Sequence, residues 1–258
     1  MPLLEIKELT KNFGGLAAVS NVNIALEENQ LVGLIGPNGA GKTTLFNLIT
    51  GVYEPSEGDV LLKVDGKSHR LNGQKPYAIA DLGLSRTFQN IRLFKDLTVL
   101  DNVLIAMNSK NKESFFSSVL RLPAFYNKEE HLKAEALKLL TIFDLQEKAE
   151  HLARNLPYGE QRRLEIVRAL ATKPKILFLD EPAAGMNPQE TAELTLLIRK
   201  IQAEFKITIL LIEHDMSLVM DVCERIYVLE YGRILAEGVP EEIKNNPEVI
   251  KAYLGGDL

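Results

Sequence analysis

The sequence predicts an α/β fold. A mostly parallel central sheet is expected, with a small antiparallel β subdomain at the start and a helical subdomain in the middle. Three observations carry this expectation. Short apolar runs at Leu31–Ile35, Ile176–Leu179 and Thr208–Ile212 have the continuous character of strands buried on both faces. Leu4, Ile6 and Leu9 alternate with polar residues, as do Val22, Ile24 and Leu26, which marks two half-buried antiparallel strands. From about Val99 to Arg154 the apolar period lengthens to that of a helix.

The elements follow in order. After the run at Leu31–Ile35 comes a Gly-rich loop, then a helical pattern from Thr43 to Ile49 that stops at Gly51. Glu54-Pro55-Ser56-Glu57-Gly58 reads as a turn into a strand near Val60 to Val64. Polar residues interrupt the middle third at Asn108–Ser114 and Pro123–Asn127. Lys128 to Glu150 is charge-rich at helical spacing, the pattern of a solvated face, and its His131 and His151 lack ligand-like company. Helices are then expected at Pro188 to Glu204 and Met216 to Val222, with a strand at Arg225 to Glu230. The reading is a single domain over residues 1–258. Residues 1–98 and 164–258 form the α/β core, and about 99–163 form the helical subdomain.

Composition excludes several classes. The chain has 258 residues, 46% hydrophobic and 25% charged, so it is neither disordered nor collagen-like, and it can bury a core without disulfides or metals. Its formal charge is −5, from 30 Lys and Arg against 35 Asp and Glu, which argues against a dedicated nucleic-acid surface. Cys223 is the one cysteine and reads as a small buried hydrophobe. No apolar run reaches the ~18–20 residues of a membrane-spanning helix. The first residues, MPLLEIKELT, show no signal-peptide pattern. A cytoplasmic chain is expected, with any membrane association made through a partner.

Gly36-Pro37-Asn38-Gly39-Ala40-Gly41-Lys42-Thr43 fits the phosphate-loop pattern and leads through Thr44 into the helix. Its glycines allow successive backbone N–H groups to point inward at anionic oxygens. The helix start adds its partial positive charge. Lys42 would neutralise β- and γ-phosphate charge, and the Thr43 hydroxyl would hold Mg²⁺. Ile176 to Leu179 ends in Asp180-Glu181, and ligands of open α/β sheets sit beyond the carboxyl ends of strands. Asp180 is placed to bind Mg²⁺ directly or through water. Glu181 is placed to orient or deprotonate a water aimed at the γ-phosphate. His214, after the run at Thr208–Ile212, can donate to a γ-phosphate oxygen.

These residues, with others, resemble a known family pattern. Over nearly its whole length the chain resembles the ATP-binding subunits of ABC transporters. Gln89 in Arg86-Thr87-Phe88-Gln89-Asn90 looks like the Q-loop of that family, and Leu156 to Arg163 looks like its signature motif. Ala183-Ala184-Gly185-Met186-Asn187 is similar to the D-loop, His214 matches the switch histidine, and Phe13 matches the aromatic that stacks on adenine. The ATP-binding subunits of branched-chain amino acid importers are the closer likeness. Leu84 to Phe94, Tyr158-Gly159, Glu181 to Pro188, Asn245-Asn246-Pro247 and Ala252-Tyr253-Leu254-Gly255 carry it.

The resemblance implies a P-loop ATPase head that binds ATP and Mg²⁺. It implies Gln89, Glu181 and His214 as catalytic residues and Thr43, Gln89 and Asp180 as metal donors. Two ATP-binding subunits would sandwich ATP, so that Tyr158, Gly159 and Glu160 meet the nucleotide held by the partner's phosphate loop. The expected partners are a second ATP-binding subunit or a second copy of this chain, two transmembrane permease subunits and, indirectly, an extracytoplasmic substrate-binding protein. No nucleic acid is expected. The place implied is the cytoplasmic face of the cell membrane, and the cargo leucine, isoleucine and valine. Ile91, Leu93 and Phe94 fit either a docking groove for a permease helix or ordinary core packing.

Two departures stand out. The commonest signature has Ser where this chain has Pro157 and Gly where it has Tyr158, and Asn187 stands where many relatives carry Asp. Pro157 offers neither hydroxyl nor N–H, although it suits the first turn of a helix. Other cargoes (other amino acids, urea or amides, lipopolysaccharide) and a poorly hydrolysing regulatory subunit stay open. A nucleic-acid repair or translation ATPase is disfavoured, since no coiled coil, zinc module or second head is present.

Overall fold

A computed structural model describes residues 2–108 and 123–254. The expected interruption at Asn108–Ser114 therefore lies almost wholly outside the described residues, as does Gly255. Two compact units result. One holds the chain up to Arg86 and from Lys175 onward, and the other is Thr87–Pro174. The second unit is wider at both ends than the expected 99–163. A polar clamp ties the loop after Arg86 to the helix beginning at Tyr158.

The first unit contains two sheets. β1 (Leu4–Phe13), β2 (Leu16–Leu26), β4 (Glu57–Val64) and β5 (Lys67–Arg70) form an antiparallel sheet in the order β2-β1-β4-β5. β3 (Leu31–Ile35), β6 (Leu84–Arg86), β7 (Ile176–Asp180), β8 (Thr208–Ile212), β9 (Arg225–Glu230) and β10 (Arg233–Gly238) form the second, in the order β10-β9-β3-β8-β7-β6. Every pairing in it is parallel except β9 with β10. All five residues of β3, of β7 and of β8 are buried, which is why these strands read as unbroken apolar runs. The Tyr227 hydroxyl joins the sheets by donating to the Ala25 carbonyl (3.1 Å) and accepting from the Ala25 N–H (3.2 Å). Leu4, Ile6, Val22 and Leu26 of the first sheet share one core with Val32, Leu34, Leu210 and Ile212 of the second and with Phe46.

Helix starts follow local chemistry. Phe46 lies on α1 (Lys42–Ile49), and α2 (Pro76–Asp81) opens with proline. In the second unit α3 (Val99–Asn108), α4 (Pro123–Ile142) and α5 (Tyr158–Ala171) pack together. Pro123–Asn127, expected to interrupt the helical stretch, instead forms the first turns of α4, because proline fits a helix start. Back in the first unit, Asn187 caps α6 (Pro188–Phe205). Its Oδ1 accepts from the Gln189 and Glu190 N–H groups (both 3.0 Å), while Glu190 accepts from the Asn187 N–H (2.9 Å). Asn therefore does here the capping that Asp would do. Asp215 caps α7 (Met216–Val222) through its side chain alone, accepting from the Ser217 and Leu218 N–H groups. Two short helices, α8 (Pro240–Lys244) and α9 (Pro247–Leu254), end the described chain. Among the described residues no helix is long and apolar enough to cross a membrane.

Amid the apolar core of the second unit lies a buried polar cluster. Arg162 is fully buried on α5. Its guanidinium donates to the carbonyls of Phe88 (2.6 Å) and Gln89 (2.7 Å) and to Glu165 Oε2 (2.8 Å). Glu165 Oε1 accepts from the N–H groups of Phe88 (3.4 Å) and Arg92 (3.2 Å). Burial pushes the Glu165 carboxyl up, and Arg162 pulls it back. Arg162→Met removes the cation and leaves the carboxylate buried, which should cost about 3–5 kcal/mol in denaturant unfolding. The double variant Arg162→Met/Glu165→Met should recover most of that loss. An equal loss in both would mean that the lost bonds to the Phe88, Gln89 and Arg92 backbone, and not the unpaired carboxylate, set the effect.

Candidate functional site

β3, β8 and β7 lie side by side, and their carboxyl ends carry the phosphate loop, Glu213-His214 and Asp180-Glu181. The topology therefore gathers on one sheet edge residues that are far apart in the chain. The loop demands glycine at two places. A Cβ on Gly36 would come within 2.0 Å of the Leu229 carbonyl oxygen. One on Gly41, whose φ is 104°, would meet the Ala18 carbonyl oxygen at 2.5 Å. Gly41 is the N-cap of α1 with no side-chain cap, so the first N–H groups of that helix remain open to an anion.

Lys42 is 8% exposed, and its Nζ donates to the carbonyls of Gly36 (2.6 Å) and Pro37 (3.0 Å). Burial lowers its pKa, and the nearby charges of Glu181 and Asp180 raise it again. One cation thus faces the loop with two carboxylates beside it. Thr43 is exposed in the first turn, while Thr44 is half-buried. The Thr43 hydroxyl and the Asp180 carboxylate are hard oxygen donors of the kind Mg²⁺ takes alongside substrate phosphates and water, so the donor set fits that ion. Phe13 is 45% exposed at the end of β1, with the Tyr53 ring at right angles to it and 5.4 Å between centroids.

Two residues that bear on this site escaped the sequence reading. Arg86, at the end of β6, pairs with Asp180 (Nη2 to Oδ2, 2.7 Å) and also donates to Asn47 (2.7 Å) and Thr50 (3.3 Å) on α1. Its guanidinium stacks over Phe46. Glu213, at the end of β8, has a fully buried side chain. Its Oε1 accepts from the Ala183 N–H (2.7 Å), and its Oε2 from the His214 N–H (3.1 Å). The local signal was slight: Arg86 stands three residues before Gln89, and Glu213 directly before His214. Glu181 itself has a left-handed backbone, φ 47°.

In the second unit Gln89 is exposed in the loop that Arg162 and Glu165 hold. Tyr158 is exposed, Gly159 is buried, and half-buried Glu160 pairs with Lys148. Pro157 is the N-cap of α5 rather than its first helical residue, and it makes no side-chain cap. Pro157→Ser should supply that cap, for about 1 kcal/mol of added stability in thermal unfolding. An unchanged or lowered midpoint would mean that the rigid proline ring compensates fully. Ile91 and Leu93 are half-buried and Phe94 is exposed, with the Arg168 guanidinium over its ring.

A phosphate loop on one strand, paired carboxylates on the next but one and a histidine between them define a nucleotide-binding cassette. The family model described as "ABC transporter" matches residues 19–184, and the one described as "Branched-chain amino acid ATP-binding cassette transporter" matches residues 233–258. The chain belongs to the ABC transporter ATP-binding family, in its branched-chain amino acid branch. It is similar to the high-affinity branched-chain amino acid transport ATP-binding protein LivG of Escherichia coli (strain K12), at 50% identity over 98% of each chain. It is similar to BraF of Pseudomonas aeruginosa at 49% over the same shares, and to the lipopolysaccharide export protein LptB of Haemophilus influenzae at 31% over 99% of this chain and 98% of that one. A crystal structure of a nucleotide-free ATP-binding cassette from an ABC transporter superposes with a TM-score of 0.82 at 33% identity, covering 99% of this chain and 100% of the other. The protein is an ATPase of this family.

Proposed function

We propose that this chain is the ATP-hydrolysing subunit of an importer of branched-chain amino acids. It works as one half of an ATP-bridged pair on the cytoplasmic side of a permease. One observation above all supports the reading: Lys42, Asp180, Glu181 and His214 lie at the carboxyl ends of three adjacent parallel strands. The names of the relatives at 49–50% identity support the cargo.

In this reading the N–H groups of Gly39 to Thr44 and the Lys42 ammonium hold the β- and γ-phosphates, and Phe13 stacks on adenine. Glu181 accepts the proton of the attacking water, and His214 donates to a γ-phosphate oxygen. Thr43, Asp180 and Gln89 would hold Mg²⁺, which would supply positive charge against the phosphates. Tyr158, Gly159 and Glu160 meet the nucleotide of the second ATP-binding subunit. Bound between two subunits, ATP favours the closed pair because it gains contacts there that it lacks in the open form. Exposed Phe94, with Ile91 and Leu93, is the docking surface for a permease segment.

Leucine uptake tests the whole reading. In cells lacking this chain, uptake should return with the parental form and not with Glu181→Gln. Unchanged uptake in the deletion, with no redundant transporter, would remove the cargo and leave the ATPase.

A further inference from the structure

We propose that Glu213 is a positioning residue: one buried carboxylate clamps the loop of Glu181 and the loop of His214 into a single geometry. The inference rests on Glu181 and His214 being the hydrolytic residues.

β7 and β8 run side by side, with Asp180 opposite Ile212, so both loops leave the sheet at one level. Glu213 is the first residue beyond β8, and its side chain is fully buried. Oε1 accepts from Ala183, two residues past Glu181, at 2.7 Å. Oε2 accepts from the His214 N–H at 3.1 Å and lies 3.9 Å from His214 Nδ1. Hydrogen bonds from N–H groups to an anion are among the strong ones.

The Glu181 loop needs such a hold. A left-handed backbone at a glutamate persists only where its surroundings over-determine it. The bonds that restrain the loop include the Glu181 N–H to Ile212 O (2.9 Å), the Ala184 N–H to Glu181 O (3.1 Å) and the Ala183 N–H to Glu213. Two of these come from the end of β8. The dependence is mutual. Burial pushes the Glu213 carboxyl up, and the N–H groups of Ala183, His214 and Asp215 pull it down. Lifting either loop leaves a buried carboxylate short of donors, which is costly. The two loops therefore open and close together.

Amide hydrogen exchange on the parental protein tests this without any variant. Ala183 and His214 should show protection factors within about threefold of each other, as members of one opening unit. A difference of more than about tenfold would overturn the proposal. Glu213→Gln keeps the shape and can accept only one of the two N–H groups. It should exchange faster at residues 181–187 and lower kcat for ATP by about 10–100-fold, with KM unchanged. A parental kcat, or a lowered kcat with unchanged exchange, would also overturn it. Glu181→Gln in the same assay separates the two readings. If that variant keeps turning over, the role of Glu181 falls, whereas the exchange result stands apart because it uses no turnover.

Discussion

Glu181→Gln should bind ATP and fail to split it, with kcat at least about a hundredfold below the parental value, the low end of what a general base contributes. Glutamine matches glutamate in size and keeps a carbonyl acceptor, so the fold and the left-handed turn at this residue should survive. Lys42 and the phosphate loop are untouched, so nucleotide affinity should hold. The expected species is a stalled, ATP-bound pair of subunits, seen as a shift to earlier elution in size-exclusion chromatography with ATP. Turnover at the parental rate would show that another group takes the proton.

Lys42→Ala should lose ATP itself. The ammonium lies on the loop carbonyls and feels the charges of Glu181 and Asp180. Arg86 already pairs with Asp180, so without Lys42 the Glu181 charge faces the phosphates with no lysine to offset it. A hydrogen bond to a charged group is worth about 1.5–3 kcal/mol, so losing two of them should raise Kd for ATP at least about a hundredfold in calorimetry. Lys42→Arg should not restore binding, because a planar guanidinium cannot take the place of a compact ammonium held 2.6 and 3.0 Å from two carbonyls. Unaltered affinity in Lys42→Ala would place the phosphates elsewhere.

The parts of this molecule that could be read from the chain are those whose cause is local. β3, β7 and β8 are buried on both faces, so each is an apolar run in the sequence itself. The phosphate loop declares itself because its glycines are forced by nearby backbone, as at Gly36. What escaped depends on distant partners. β6 has three residues, Leu84–Arg86, too few to show a period. Arg86 reads as an ordinary surface cation until Asp180, 94 residues on, folds against it. Arg162 sits in a run of charged residues that looks solvated, yet it is fully buried because the Phe88 and Gln89 carbonyls are there to receive it. Glu213 passed as a neighbour of the histidine, since nothing local reveals that Ala183 lies beneath it. Pro157 directly precedes its helix, which forms from Tyr158 onward.

Cys223 is buried beneath Gly33, and its surroundings push the thiol pKa up to about 12. Thiol reagents attack the thiolate, so at neutral pH this sulfur should stay silent toward maleimides and spin labels. As the only cysteine in the chain, it leaves a blank background. A cysteine introduced at a bare position such as Tyr231, which is 85% exposed, would then carry the sole probe, and distances between two labelled copies could be followed through a hydrolysis cycle without first engineering the native protein.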